Sequence, residues 1–266
     1  MRHEFPATGP VDAYVELRSG DLTIAAGPSR APKDTDTDTD TDTVSVEVTG
    51  SRADSVTVEA LGDRVTIVEP QRTGFLAGRG DLHVAVTLPA GSGLTTKVGA
   101  ASVRVTGEMG EVQIKSGSGD VSLGTVIGPA LVKAGSGDIT VESLGAASEI
   151  KAGSGTISVT RVSGPTQLTT GSGSITVSEA AAPVALKSGS GDLRVGRMTG
   201  GQARLKNVSG DIRLGIPEGT PVWTDISTTT GRVRSTLTPK GAPTDGQSHV
   251  EVRASSVTGD IHLEQL

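Results

Sequence analysis

Apolar residues alternate with polar ones along most of the chain, and the alternation is interrupted at glycine-rich turns. Val121 and Leu123 flank a polar serine, and Ile139 and Val141 flank a threonine in the same way. A period of two places the apolar side chains on one face of a β-strand and the polar ones on the other. A second apolar run follows each such strand after a Gly/Pro corner. The pattern predicts pairs of short strands joined by tight turns.

The strand pairs recur at a fixed interval of 18 residues. Rows of 18 that begin at Lys97 align a corner glycine in six consecutive rows: Gly99, Gly117, Gly135, Gly153, Gly171 and Gly189. Stacked coils require such an interval, because equivalent residues then lie about 4.8 Å apart in successive coils. A β-sandwich is the alternative fold, but nothing in a sandwich demands an identical interval. We therefore predict an all-β, β-helix-like solenoid with about 18 residues per coil. Its Gly-Ser-Gly corners should need positive φ or close packing between coils.

The regular interval covers only part of the chain and predicts three regions. Residues 1–96 form a strand-rich region of degenerate coils or a cap, with a disordered loop at 33–43. Residues 97–215 form the regular solenoid, and residues 216–266 form irregular coils and a cap, since terminal repeats are usually atypical. Trp223, the single tryptophan, is expected to pack against this end, and Thr258–Leu263 to form the last strand.

Composition offers little material for catalysis. The chain has no cysteine, four scattered histidines and 2% aromatic residues, against 37 glycines in 266 residues. The Gly-Ser-Gly corners lack the following helix that a phosphate loop or a nucleophile elbow requires. We expect no enzyme activity, no metal and no cofactor.

The N-terminus carries no apolar stretch typical of a secretory signal, and no run of about 18 apolar residues could span a membrane. A cytoplasmic location is the expectation from these features. The net charge is −6, and the first 96 residues hold 15 acidic and 8 basic residues, so the acidic excess belongs to the N-terminal region.

A column of lysines is the one unusual array that the repeat creates. Evenly spaced cations along one edge suit an anionic polymer. Aspartates five residues later, across the same corner, could instead neutralise the column, and we favour this structural pairing; we do not expect a nucleic-acid partner. The candidate interaction ladder comprises Lys115, Lys133, Lys151, Lys187 and Lys206, with Lys97 before it, and the candidate partners are Asp120, Asp138, Asp192 and Asp211.

The tandem Gly-Ser-Gly-Asp corners, each followed by alternating Val/Ile and Thr/Ser, are preceded by Val86–Ser92. Together these motifs resemble a bacterial family of β-strand-repeat domains of unknown function whose members are named as adhesins. The opening His3-Glu4-Phe5 and the closing Thr258–Ile261 are similar to actinobacterial members that consist of this domain alone. The resemblance covers nearly the whole chain. It implies a β-helix-like solenoid and carries no established activity or functional residues. Some relatives are attached to membrane segments and linked to envelope stress.

These features lead us to expect a non-enzymatic scaffold or protein-interaction module with an unknown protein partner, which could also associate through the ends of the solenoid because strand edges are open there. A surface adhesin exported by an unrecognised route is the second hypothesis. Polyanion binding by the lysine ladder is the third, and it predicts salt-dependent retention on heparin.

Overall fold

The computed structural model describes residues 1–27, 42–70, 80–238 and 249–266, and these residues form strands almost throughout. The only helix among them is a single 3-10 turn at Ala53–Ser55, so no described helix is long and apolar enough to cross a membrane. The described residues divide into two compact units, Met1–Ala134 and Gly135–Leu266. The predicted boundaries after residues 96 and 215 stay a prediction.

Unit 1 combines parallel coils with antiparallel strands. Its strands are β1 (Arg2–Ala7), β2 (Asp12–Ala26), β3 (Asp42–Thr49), β4 (Thr57–Leu61), β5 (Arg64–Val68), β6 (His83–Leu88), β7 (Gly93–Met109), β8 (Val112–Ser116) and β9 (Val121–Val126), and β10 (Ala130–Ser136) begins in it.

The long strands β2 and β7 are both coils of the solenoid. They run parallel over their whole length, with Ala13 opposite Leu94 and Leu22 opposite Val103. On its other edge β2 pairs in parallel with β5 and then with β6. The antiparallel strands come next: β4 pairs with β5, β3 with β6, and β1 with β3. The N-terminal region therefore contains both degenerate coils and an antiparallel cap.

The predicted loop at 33–43 lies outside the described residues up to position 41. Its last two residues do not belong to a loop, because β3 begins at Asp42 and pairs there with β1.

Unit 2 consists of parallel coils with two strands each. Its strands are β11 (Ile139–Leu144), β12 (Ser148–Ser154), β13 (Ile157–Val162), β14 (Thr166–Ser172), β15 (Ile175–Ala180), β16 (Val184–Ser190), β17 (Leu193–Met198), β18 (Gly201–Ser209), β19 (Ile212–Ile216), β20 (Val222–Thr230), β21 (Val233–Ser235), β22 (Val250–Thr258) and β23 (Ile261–Gln265).

Equivalent residues in unit 2 stack in register from coil to coil. Ile157 lies between Ile139 and Ile175 in neighbouring parallel strands, and Leu168 lies opposite Leu186. These inward side chains are fully buried and form continuous aliphatic ladders. Each coil can thus bury its apolar face with small residues, which is why so few aromatics suffice. The 18-residue solenoid is confirmed.

The last coils of unit 2 are not stacked in chain order. From β18–β19 the chain passes to β20–β21 and then returns, so that β22–β23 lies between the two pairs. The prediction of the last strand at Thr258–Leu263 is confirmed, since β23 spans Ile261–Gln265 and is the last strand in the sequence, but the terminal coil of the stack is β20–β21. The order follows composition. The inner position goes to the coil with buried Val250, Val252 and Ile261, whereas Thr224 and Val233 of the terminal coil remain exposed.

Trp223 does not plug the end of the solenoid as predicted. Its side chain is about half exposed on β20, and the guanidinium of Arg253 lies 5.5 Å from its ring centroid. The indole therefore covers a charged neighbour on the outer surface, in a cation–π contact.

Candidate functional site

Two glycines fix each corner between the strands of a coil, and they do so for different reasons. Gly191 adopts a φ of +136°, which L side chains rarely adopt. Gly171 has no positive φ, but a Cβ there would lie 2.7 Å from the carbonyl oxygen of Gly153 in the adjacent coil. Both parts of the corner prediction hold, and the coils approach closely at this edge.

Three of the corner aspartates, Asp138, Asp192 and Asp211, hydrogen-bond along the stack to the next coil. The carboxylate of Asp192 accepts the backbone N–H of Asp211 at 2.8 Å, and Asp211 in turn accepts that of Asp260 at 2.9 Å. Asp138 accepts the N–H of Thr156 at 2.8 Å. The aspartate side chain is short, so its carboxylate reaches the amide of the next coil more readily than it reaches a lysine ammonium. The bond also satisfies a backbone donor at the corner. Among the residues that the structure describes, Lys187 and Asp192 form no ion pair, so the pairing prediction is wrong for this coil.

The predicted ladder lysines occupy outward positions in register within each unit. In unit 1, Lys97, Lys115 and Lys133 lie opposite one another on β7, β8 and β10. In unit 2, Lys187 and Lys206 are opposite each other on β16 and β18. Thr169 interrupts the column between Lys151 and Lys187, and Lys151 forms an ion pair with Glu149 on its own strand. The structure thus places the ladder residues on one column of each unit, and their binding role stays a prediction.

A cleft of about 420 Å³ opens beside the lysine column of unit 1, where β2, β7 and β8 turn their corners. It is lined by Arg18, Glu69, Lys97 and Lys115 together with Glu16, the backbone of Gly99 and Gly117, and the neighbouring Leu17, Val98 and Ser116. Arg18 stands opposite Gly99, in the position that later coils give to the first corner glycine. The first coil therefore places a guanidinium where the others have no side chain.

Glu69, directly after β5, holds the base of this cleft. Its carboxylate is fully buried and accepts a hydrogen bond from the Arg52 guanidinium at 2.7 Å and one from the Arg18 guanidinium at 3.1 Å. The backbone N–H of Arg18 donates to the same carboxylate at 2.9 Å. Arg52 also donates to the carbonyl oxygens of Ser19 and Gly80. A buried carboxylate requires such pairing, and this network fixes the direction of the Arg18 side chain.

Tyr14 orients the ammonium of Lys97. The Tyr14 hydroxyl donates to Glu16 at 2.6 Å, and the Lys97 Nζ lies 5.5 Å from the ring centroid of Tyr14. A side-chain hydrogen bond with Tyr14 raises the pKa of Lys97 above its ordinary value, and Coulombic interactions with Tyr14 and Glu16 act in the same direction. Lys97 therefore carries its charge throughout the neutral and mildly alkaline range.

The described residues contain no candidate metal-binding site. No three of its histidine, aspartate and glutamate side chains are grouped closely enough to hold a metal ion. The expectation about metals and cofactors stays a prediction.

The parallel coils thus have glycine corners, and aspartates at three of these corners hydrogen-bond to the next coil. The family model described as Toastrack DUF4097 matches residues 33–264. The chain belongs to the Toastrack DUF4097 family. The match spans most of both units of this Toastrack chain, and the sequence-based resemblance to a family of unknown function is confirmed.

Solved structures of other bacterial proteins are similar to this Toastrack chain. One, from Parabacteroides distasonis, bears the provisional name of a lipid binding protein; it is 14% identical, the match covers 99% of this chain and 96% of that one, and the TM-score is 0.48. A second, from Bacteroides fragilis, is provisionally named an adhesin; it is 10% identical, with 99% and 96% of the two chains covered and a TM-score of 0.34. No curated protein sequence matches the chain. None of these names describes an enzyme.

The lysine ladder could be predicted from the sequence of this Toastrack chain, but the cleft could not. Arg18, Arg52 and Glu69 are separated by up to 51 residues and lie outside the regular interval. One signal was available for Arg18, since the following Ser19-Gly20-Asp21 echoes the later corners and so aligns Arg18 with a corner position. Nothing in the sequence indicates that Glu69 pairs with it.

Proposed function

We propose that the chain is a non-enzymatic scaffold that assembles through the terminal coil of unit 2. One observation carries the proposal: β20 pairs with β22 along one edge, and no described strand pairs with its other edge. The same holds for β21, which pairs with β23 alone. An open edge presents a row of backbone N–H and C=O groups to which a further strand can add.

The side chains of this coil show the same incomplete packing. Thr224 and Val233 occupy the inward register positions that Val252 and Ile261 occupy one coil below. The two residues below are buried, whereas Val233 is 47% exposed. Covering the terminal coil would therefore remove apolar surface from water, which favours association.

The occupant we propose is a second copy of the chain. Natural edge strands are commonly protected by proline, lysine or a bulge, and β20 has no proline or lysine in VWTDISTTT. Two copies related by a two-fold axis can present the same edge to each other in antiparallel pairing, and such a contact is closed and needs no other surface.

The packing of side chains inside the coils of unit 2 supports a scaffold role. Most inward positions along β12 to β17 are taken by buried aliphatic side chains such as Ile150, Val159 and Leu186, and the buried polar ones are single hydroxyl groups of Ser148, Thr166, Thr170 and Ser188. Catalysis needs convergent polar groups of suitable pKa, whereas these hydroxyls donate to backbone carbonyl oxygens.

Substitution of Thr224 tests the proposal. We expect the average mass of the chain, measured by sedimentation velocity, to rise with concentration. Thr224→Lys should shift this rise to higher concentration, because two-fold pairing would bring two inward-pointing ammonium groups together. Thr160→Lys is the matched control, since Thr160 is an exposed threonine on β13, which pairs with β11 and β15 on its two edges. A wild-type chain that stays monomeric over a wide concentration range, or an equal effect of both variants, would contradict the proposal.

A further inference from the structure

The cleft of unit 1 gathers cationic side chains that the internal coils of the regular repeat do not bring together. Lys97 and Lys115 project from adjacent parallel strands in direct register, about 4.8 Å apart at the backbone. Arg18 enters the same cleft from β2, with about a third of its side chain exposed. Like charges directly opposite each other in a sheet destabilise it. A bound anion between these groups would relieve that repulsion.

The carboxylates near the cleft do not cancel its positive charge. Glu69 is shared between two guanidiniums, those of Arg18 and Arg52. Glu16 lies opposite Lys97 in the register and offsets it. Among the described lining residues, three cationic side chains, those of Arg18, Lys97 and Lys115, accompany two carboxylates, and one of these two is also paired with Arg52.

The backbone leaves room for a ligand to approach closely. Gly99 and Gly117 line the cleft without side chains. A Cβ on Gly99 would lie 2.5 Å from the carbonyl oxygen of Arg18, so the packing of the coils requires glycine there. At Gly99 and Gly117 the wall of the cleft therefore carries no side chain that would hinder a ligand.

We propose that this cleft binds the phosphate group of a phosphomonoester. A phosphate has three acceptor oxygens for one guanidinium and two ammonium groups, whereas a carboxylate is already satisfied by a single bidentate arginine. The volume of about 420 Å³ exceeds that of a bare phosphate, which leaves room for the rest of a monoester. Glu16 at the rim repels further anionic groups, which favours a single monoester over a polyanion. This site lies within unit 1 and does not depend on assembly through unit 2.

Titration of the full chain with glycerol phosphate tests the site. We expect the amide resonances of Gly99 and Gly117 to shift in a saturable manner in a nitrogen-15 NMR spectrum. Lys115→Gln should weaken the apparent affinity about tenfold, since it removes one charge-assisted hydrogen bond. Lys187→Gln is the matched control: it removes a lysine from the corresponding column position in unit 2, far from Arg18 in the sequence, and should leave the affinity unchanged.

A vesicle-binding measurement distinguishes a lipid headgroup from a soluble phosphomonoester. Sedimentation with vesicles containing phosphatidic acid, sensitive to Lys115→Gln alone, would assign a lipid headgroup; binding of glycerol phosphate without binding of vesicles would assign a soluble monoester. The proposal is overturned if the Gly99 and Gly117 amides show no saturable shift, or if Lys187→Gln weakens binding as much as Lys115→Gln. Lys115 is exposed, so loss of the fold is not expected, and unchanged resonances in unit 2 would verify this.

Discussion

At the scale of single residues, the corners decide how closely the coils can stack. The first corner glycine faces the carbonyl of the preceding coil, and the second adopts a conformation that other residues avoid. The aspartate that follows accepts a backbone N–H from the next coil in the coils of Asp138, Asp192 and Asp211. The motif Gly-Ser-Gly-Asp is therefore explained by stacking alone, and no catalytic role is needed for it.

Gly171→Ala should destabilise the chain by about 2 kcal/mol, because the added methyl group would overlap a backbone carbonyl that is held in a ladder on both sides. The midpoint of urea unfolding measures the effect. Gly200→Ala provides the control: nothing lies within 4 Å of a Cβ at Gly200, so the change should stay within about 0.5 kcal/mol. Equal midpoints for the two variants would show that the corner is not tightly packed.

At the scale of elements, the buried Glu69 joins three segments that are distant in the sequence. It follows β5, it accepts hydrogen bonds from Arg18 within β2, and it pairs with Arg52, which precedes the 3-10 turn. The N-terminal coils do not keep the 18-residue interval. The hydrogen bonds and ion pairs of Glu69 with Arg18 and Arg52 therefore help to hold these segments in position, as the stacked repeats do elsewhere.

Glu69→Ala should lower the free energy of unfolding by about 3 to 5 kcal/mol, because it leaves the nearly buried Arg52 without its carboxylate. Glu4→Ala is the comparison, since the Arg2–Glu4 ion pair is exposed on both sides and should contribute less than about 1 kcal/mol. Denaturant unfolding monitored by circular dichroism distinguishes the two variants. A loss for Glu69→Ala no larger than that for Glu4→Ala would mean that the network does not align these segments.

The sequence was informative about elements wherever the interval of 18 was kept. The alternating pairs Ile139/Val141 and Ile157/Val159 predicted strands, and their spacing predicted the stacking that the structure shows. The pairing of Lys187 with Asp192 was predicted wrongly, because spacing indicates which residues are near a corner but not which hydrogen bond a short carboxylate prefers. The cleft could not be predicted, since the contact between Arg18 and Glu69 depends on the parallel pairing of β5 with β2, which does not follow the 18-residue interval.

At the scale of the whole molecule, the central claim is that in-register coils of about 18 residues end in a coil that is paired on one side only. The family model matches most of the chain that forms these coils. The proposed assembly depends on β20, which pairs with β22 on one edge only. Chain order alone would have placed β22–β23 at the end. The structure places it inside because Val250, Val252 and Ile261 need cover on both sides, whereas the threonine-rich β20 does not.

Amide hydrogen exchange followed at low and at high protein concentration tests this claim most directly. Open backbone hydrogen bonds at an edge exchange quickly, whereas ladders inside a stack are protected. We predict slow exchange in β14 and β16 at both concentrations, and in β20 exchange that is fast at low concentration and slower at high concentration, when a second copy covers the edge. Protection of β20 equal to that of β14 at low concentration would contradict the account, as would fast exchange in β20 at every concentration.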